Sequence, residues 1–135
     1  MNTPLPFNIK QRVYFEDTDA FGVVYHTNYI KYMERARSEW FWLHHLCFDE
    51  FIKQGIAFAV HHIDINYRKP ARLKDNLLCT CSISSHTKSA ITFDQHVINA
   101  DNNDIIYAEA KIRIVCMTLE GRPYPIPKEL LEAVI

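Results

Sequence analysis

The chain has 135 residues, 48% of them hydrophobic, with a formal net charge of -1. That supports one compact domain with a real core, spanning residues 1–135, and excludes both intrinsic disorder and a second domain of ordinary size. The near-neutral charge gives no reason to expect nucleic acid or an anionic membrane as partner, and no apolar run reaches the length of a membrane span.

In chain order, Phe7, Ile9, Gln11, Val13 and Phe15 alternate with mostly polar neighbours, which predicts a first strand, entered through Pro4 and Pro6. From residue 28 to 45 the period changes. Ile30, Met33, Ala36, Arg37, Trp40 and Leu43 form one stripe, so a long helix is expected there, capped by Thr27 or Asn28. A shorter helical piece over 48–54 stops at Gly55.

The remainder reads as strands. Ile63, Ile65 and Tyr67 alternate, then Leu77, Cys79, Cys81 and Ile83, then Ile91, Phe93, Gln95 and Val97, then Ile112, Ile114 and Cys116 within 106–119. Short turns at 85–89 and 101–104 predict antiparallel neighbours. The proline-rich tail at 121–127 cannot continue a strand, and a last helical turn or two is expected over 128–134. The layout predicts an α+β fold, one long helix on a curved antiparallel sheet. Such a sheet leaves an edge and an uncovered face, and a second copy would manage both, so a homo-oligomer is expected.

Two acids, Asp17 and Asp19, end the first strand just ahead of the long helix, with Gly22 between. A carboxylate close to free helix N–H groups is the minimum equipment for attack on an acyl group. From the residues alone Asp19 reads more readily as a turn residue before Gly22, because Asp is common in turns. His26 can act through its ring or only through its backbone. Val24 and Tyr25 can line a pocket or simply pack, and Asn28 can cap the helix or touch substrate. Arg68, Lys69, Arg72 and Lys74 crowd into one segment, either as a clamp for phosphates or as a solvated loop balanced by Asp64 and Asp75. Arg37 interrupts the apolar stripe, which suggests a buried pairing or an interface, and Glu34 is a fallback acid. The adjacent histidines His44-His45 and His61-His62 each offer at most one ligand per face, and no zinc-ligand spacing accompanies them. No metal and no cofactor are expected. Without a basic segment followed by an apolar stretch, and with Cys79 and Cys81 reading as small core residues, a reduced, cytoplasmic protein is the expectation.

Asp17-Thr18-Asp19, Gly22-Val23-Val24-Tyr25-His26, Asn28-Tyr29, Tyr32 and Glu34-Arg35-Ala36-Arg37-Ser38-Glu39 resemble the signature of hotdog-fold acyl-CoA thioesterases. The closest branch is the YbgC type, a relative of 4-hydroxybenzoyl-CoA thioesterase. Pro70-Ala71-Arg72-Leu73 and Asp75 resemble a second segment of that branch, and the similarity spans nearly the whole chain. The resemblance implies a single hotdog domain, a dimer whose sheets join, often paired into a tetramer, and active sites at the dimer interface. It implies Asp19, the second acid, as the catalytic one, supported by Asp17 and Gly22, with the backbone N–H at or beside His26 polarising the thioester carbonyl. Phe21 departs from the small residues common in relatives, and is expected to reshape the acyl pocket. Three other readings stand beside hydrolysis of an acyl-CoA. They are an acyl-carrier-protein thioesterase, a hotdog hydratase or dehydratase, and a non-catalytic acyl-CoA sensor or assembly subunit.

Overall fold

The computed structural model describes residues 4–134. Its described elements are β1 (Asn8–Arg12), a 3-10 turn (Phe15–Asp17), α1 (His26–Leu43), α2 (Phe48–Lys53), β2 (Ile56–Tyr67), β3 (Asn76–Thr80), β4 (Ser82–His86), β5 (Ala90–Asn99), β6 (Ile106–Thr118) and α3 (Lys128–Val134). The strands form one antiparallel sheet in the order β1-β3-β5-β6-β2, with β4 also pairing with β5. The helix α1 packs over β1, β3 and β5. This is the long helix on an antiparallel sheet that the sequence predicts.

The helix-facing side of the sheet follows the predicted alternation. Ile91, Phe93, Gln95 and Val97 of β5 are buried, as are Ile112, Ile114 and Cys116 of β6. From the other layer Tyr32, Met33, Ala36 and Phe41 meet them. Each large apolar side chain buried this way contributes about 1.5–3 kcal/mol. Cys79 and Cys81 are buried free thiols.

Five details depart from expectation. The first strand ends at Arg12. The chain then turns because the Asp17 carboxylate accepts the Tyr14 N–H at 2.9 Å, leaving Phe15 82% exposed. The long helix spans His26–Leu43, not 28–45. Its N-cap is Tyr25, without a side-chain cap bond, so neither Thr27 nor Asn28 caps it. At the other end His45 takes φ +60°, and the Leu46 N–H folds back on the Phe41 carbonyl. The predicted strand through Leu77–Ile83 is split into β3 and β4 at Cys81, whose N–H pairs with the Phe7 carbonyl instead. Chain order is not sheet order either, because β2 lies beside β6 rather than β3.

The open face of the sheet is polar along β5. Thr92, Asp94 and His96 of β5 point there, with Lys111 3.5 Å and His96 3.4 Å from Asp94. The sheet ends in β1 at one side and β2 at the other, and β2, with 12 residues, is the longer open edge. This strand holds its apolar side chains on one face by a bulge between Val60 and His62. Before it Phe58 and Val60 oppose Cys116 and Ile114, and after it Ile63 and Ile65 oppose Ile112 and Ala110. One extra residue repairs the parity that the run Val60-His61-His62-Ile63 would otherwise break.

Candidate active site

The site is built on the loop between β1 and α1. Asp17 is 4% exposed and anchors it. Its carboxylate accepts the Tyr14 N–H and the Asn28 side-chain amide, each at 2.9 Å, and its carbonyl accepts the Tyr25 N–H at 2.8 Å. Asp19 then closes a tight turn. Its N–H donates to the Val23 carbonyl, its carbonyl accepts the Gly22 N–H at 3.0 Å, and Oδ1 accepts the Phe21 N–H at 2.8 Å. Gly22 takes φ +77°, a left-handed conformation that glycine adopts without strain. Asp19 is thus a turn residue and also a half-buried carboxylate, with Oδ2 unpaired among the described residues.

The chain enters α1 with the Val24 N–H on the Ala71 carbonyl and the Tyr25 N–H on that of Asp17. The Asn28 N–H closes onto the Tyr25 carbonyl at 2.8 Å. Among the described residues, the N–H groups of His26 and Thr27 have no acceptor. Two free donors at the positive end of an 18-residue helix are a place for negative charge to develop.

Asp19, Val23, Val24, His26 and Tyr29 line one cleft of about 330 Å³ with Tyr67, Arg68, Lys69 and Pro70. The carboxylate and the first helical residue therefore share a wall. The Tyr67 hydroxyl donates to the His26 carbonyl at 3.2 Å, and the Tyr29 hydroxyl accepts the Ala71 N–H at 3.0 Å. The His26 ring is exposed and lies against Tyr25, with centroids 4.6 Å apart.

Other candidates stand differently. Asn28 is 8% exposed and its amide is committed to Asp17. Tyr25 is 46% exposed beside the cleft. Phe21 is 87% exposed and does not line it. Of the basic segment, Arg68 and Lys69 reach the cleft, whereas the Arg72 N–H is tied to Asp75 at 2.9 Å. Arg68 is paired with Glu109, and its guanidinium holds that carboxyl below the usual range. Tyr29 and Tyr67 were not singled out from sequence as site residues. Their signal was present, since Tyr29 is part of the motif and Tyr67 ends an alternating strand just before the basic segment.

Comparison with known proteins gives the architecture its place. Residues 13–134 match the model of the thioesterase-like superfamily. The chain is 39% identical to the acyl-CoA thioester hydrolase YbgC of Escherichia coli O157:H7, over 97% of this chain and 96% of that protein. It is 35% identical to the acyl-CoA thioesterase YbgC of Haemophilus influenzae, over 94% and 93% respectively. Among solved structures, the 1,4-dihydroxy-2-naphthoyl-CoA thioesterase of Synechocystis superposes with a TM-score of 0.89 at 28% identity, covering 95% of this chain and 94% of that one. An Aquifex aeolicus protein superposes with a TM-score of 0.87 at 28% identity, covering 96% and 100%. With its hotdog architecture and its full-length match to these relatives, the chain belongs to the thioesterase-like superfamily, in the branch of the YbgC thioesterases.

Proposed function

We propose that the chain hydrolyses acyl-CoA thioesters to the free acid and CoA, with Asp19 as the reacting acid. The observation that carries this is the shared cleft, in which Asp19 faces the start of α1 where the His26 and Thr27 N–H groups are free. Attack on the thioester carbonyl puts negative charge on its oxygen. A preorganised N–H donor aimed at that oxygen lowers the barrier by about 3–4 kcal/mol. Asp19 serves either as nucleophile, passing through a mixed anhydride, or as general base on a water. The CoA thiolate is a good leaving group, so no strong general acid is required.

His26 contributes its backbone at the helix start, and Val24, Tyr29 and Tyr67 form the apolar wall. Tyr25 and Asn28 support the helix entrance. Lys69 offers a cation to the CoA phosphates, as does Arg68 where it can exchange Glu109 for phosphate, with Arg72 in the same segment. The molecule works as a homodimer joined along the open β2 edge. The acyl group is aliphatic or aryl. The Synechocystis relative is named for an aryl thioester, and the cleft here has aromatic walls.

The test is free-thiol release from a panel of short-chain, long-chain and aryl CoA thioesters by wild type and Asp19→Asn. Turnover that falls about 10²–10⁴-fold in the variant is the expected result. Full activity in the variant would remove Asp19 from the chemistry. Tight acyl-CoA binding without turnover by the wild type would favour a sensor.

A further inference from the structure

Arg68 follows Tyr67, the last residue of β2 to pair with β6. Its backbone stays tied to β6, with its N–H on the Tyr107 carbonyl at 2.8 Å. Arg68 lines the cleft that holds Asp19. Its guanidinium, however, is bonded to Glu109 of β6, whose pairing neighbour across the sheet is His96 of β5. Glu109 does not line the Asp19 cleft. It lines a separate polar cleft of about 310 Å³ on the open face, with Asp64, Asp94, His96 and Lys111. One arginine thus forms part of the wall of the reacting cleft and is held by an acid outside it.

The pair is of a kind that a phosphate can displace. Nε and Nη2 both reach one oxygen, Oε1, the first at 2.9 Å, and Oε2 of Glu109 has no partner among the described residues. A guanidinium is held better by two oxygens in parallel, which a phosphate group offers. The Arg68 side chain is also 57% exposed, and an ion pair open to water is weak. The acid nevertheless competes at neutral pH, because its bond to Arg68 holds the carboxyl below the usual range and keeps it ionised. Acyl-CoA and the product CoA carry the same phosphates. A competitor for the cation that receives them therefore weakens both by one factor, and it acts on binding rather than on the chemical step.

We propose that Glu109 is an internal competitor for the phosphates of CoA. It holds Arg68 while the cleft is empty, releases it when acyl-CoA binds and takes it back as CoA leaves. Glu109 thus sets how tightly the nucleotide is held, and limits inhibition by the product, without touching substrate. This rests on the thioesterase reading and names how the affinity of that site is set.

The test measures CoA binding by calorimetry, and KM for one acyl group presented as its CoA thioester and as its pantetheine thioester, which has no phosphate. Full-length wild type, Glu109→Gln, Arg68→Met, the double variant and Asp64→Asn are compared. Glu109→Gln, nearly the same in shape, is expected to tighten CoA binding and lower KM for the CoA thioester by about 2–5-fold each. KM for the pantetheine thioester stays level. Arg68→Met weakens CoA binding by about 10-fold, and adding Glu109→Gln to it brings no recovery. Asp64→Asn removes an equal charge from the same cleft without freeing Arg68, and CoA binding stays at the wild-type value. Unchanged or weaker CoA binding in Glu109→Gln overturns the proposal. So does a gain that survives in the double variant or is matched by Asp64→Asn, the mark of a general field rather than of competition at Arg68. No turnover of any thioester, with CoA binding still tightened in Glu109→Gln, removes the hydrolase reading and leaves the competitor standing. No CoA binding by wild type overturns both.

Discussion

Asn28 donates its side-chain amide to the carboxylate of Asp17 at 2.9 Å, joining the first turn of α1 to the loop that carries Asp19. The same aspartate holds the Tyr14 and Tyr25 N–H groups, so three segments meet on one buried residue. The distance between the Asp19 carboxylate and the helix start is thereby held by Asp17, without Asp17 touching the cleft.

Replacing Asp17 with alanine frees all of the side-chain ties. Loss of stability of about 1–3 kcal/mol is expected from the donors left unpaired. Turnover should fall by up to about 10²-fold with a smaller change in KM, because a reacting group misplaced by an ångström costs that much. Thermal melting and steady-state kinetics on one good thioester check both. An unchanged kcat in a destabilised protein would separate Asp17 from catalysis.

The Tyr32 hydroxyl is buried and has no hydrogen-bond partner among the described residues. Burial, and next to it the Asp17 carboxylate, push its phenol well above the usual range. Tyr32→Phe removes an unpaired polar atom and keeps the ring. The melting temperature should therefore stay level or rise. A fall worth more than about 1 kcal/mol would mean that the hydroxyl is bonded in solution.

At Gly22 an added methyl group would meet no atom within 4 Å, so the only obstacle is φ +77°. Gly22→Ala should cost about 1–2 kcal/mol from the left-handed conformation alone. Because the Gly22 N–H closes the Asp19 turn, activity should drop as well. Urea unfolding beside the thiol-release assay tests the pair of effects. Wild-type values in both would show that the loop relaxes elsewhere.

Burial pushes the Cys116 thiol up to about 11 and the Cys81 thiol up to about 12, from 9.0. The folded state thus holds these protons more tightly than the unfolded chain. Their contribution to stability is complete below pH 9 and is lost as pH rises through the window from 9 to about 12. Denaturation midpoints should be level near neutrality and fall steadily above pH 9. Cys81→Ala should flatten that slope even as it lowers the neutral-pH value, and an unaltered slope would assign the alkaline loss to other groups.

The β2 edge runs 12 residues with Val60 46% exposed, long and apolar for a strand left unpaired. Light scattering at micromolar concentration should find a dimer or larger. Val60→Lys should shift it towards monomer, and a monomeric wild type would exclude pairing along this edge.

Much of this molecule is legible in the residues because it depends on neighbours along the chain. The alternation Ile91, Phe93, Gln95, Val97 and the stripe Met33, Ala36, Trp40 state which faces are buried, and Gly55 states where α2 stops. The acid pair before a helix and the full-length motif led to the thioesterase family by way of Asp19 and the helix start. What local pattern could not state depends on partners distant in sequence. The helix begins at His26 rather than Asn28 because the Tyr25 N–H finds the Asp17 carbonyl, and Asn28 turns to the Asp17 carboxylate instead of capping. The strand order, the break at Cys81 and the bulge at Val60 are likewise decided by which backbone groups meet across the sheet. The sequence showed Arg37 out of place on an apolar stripe. Only the packed sheet supplied Gln95 opposite it.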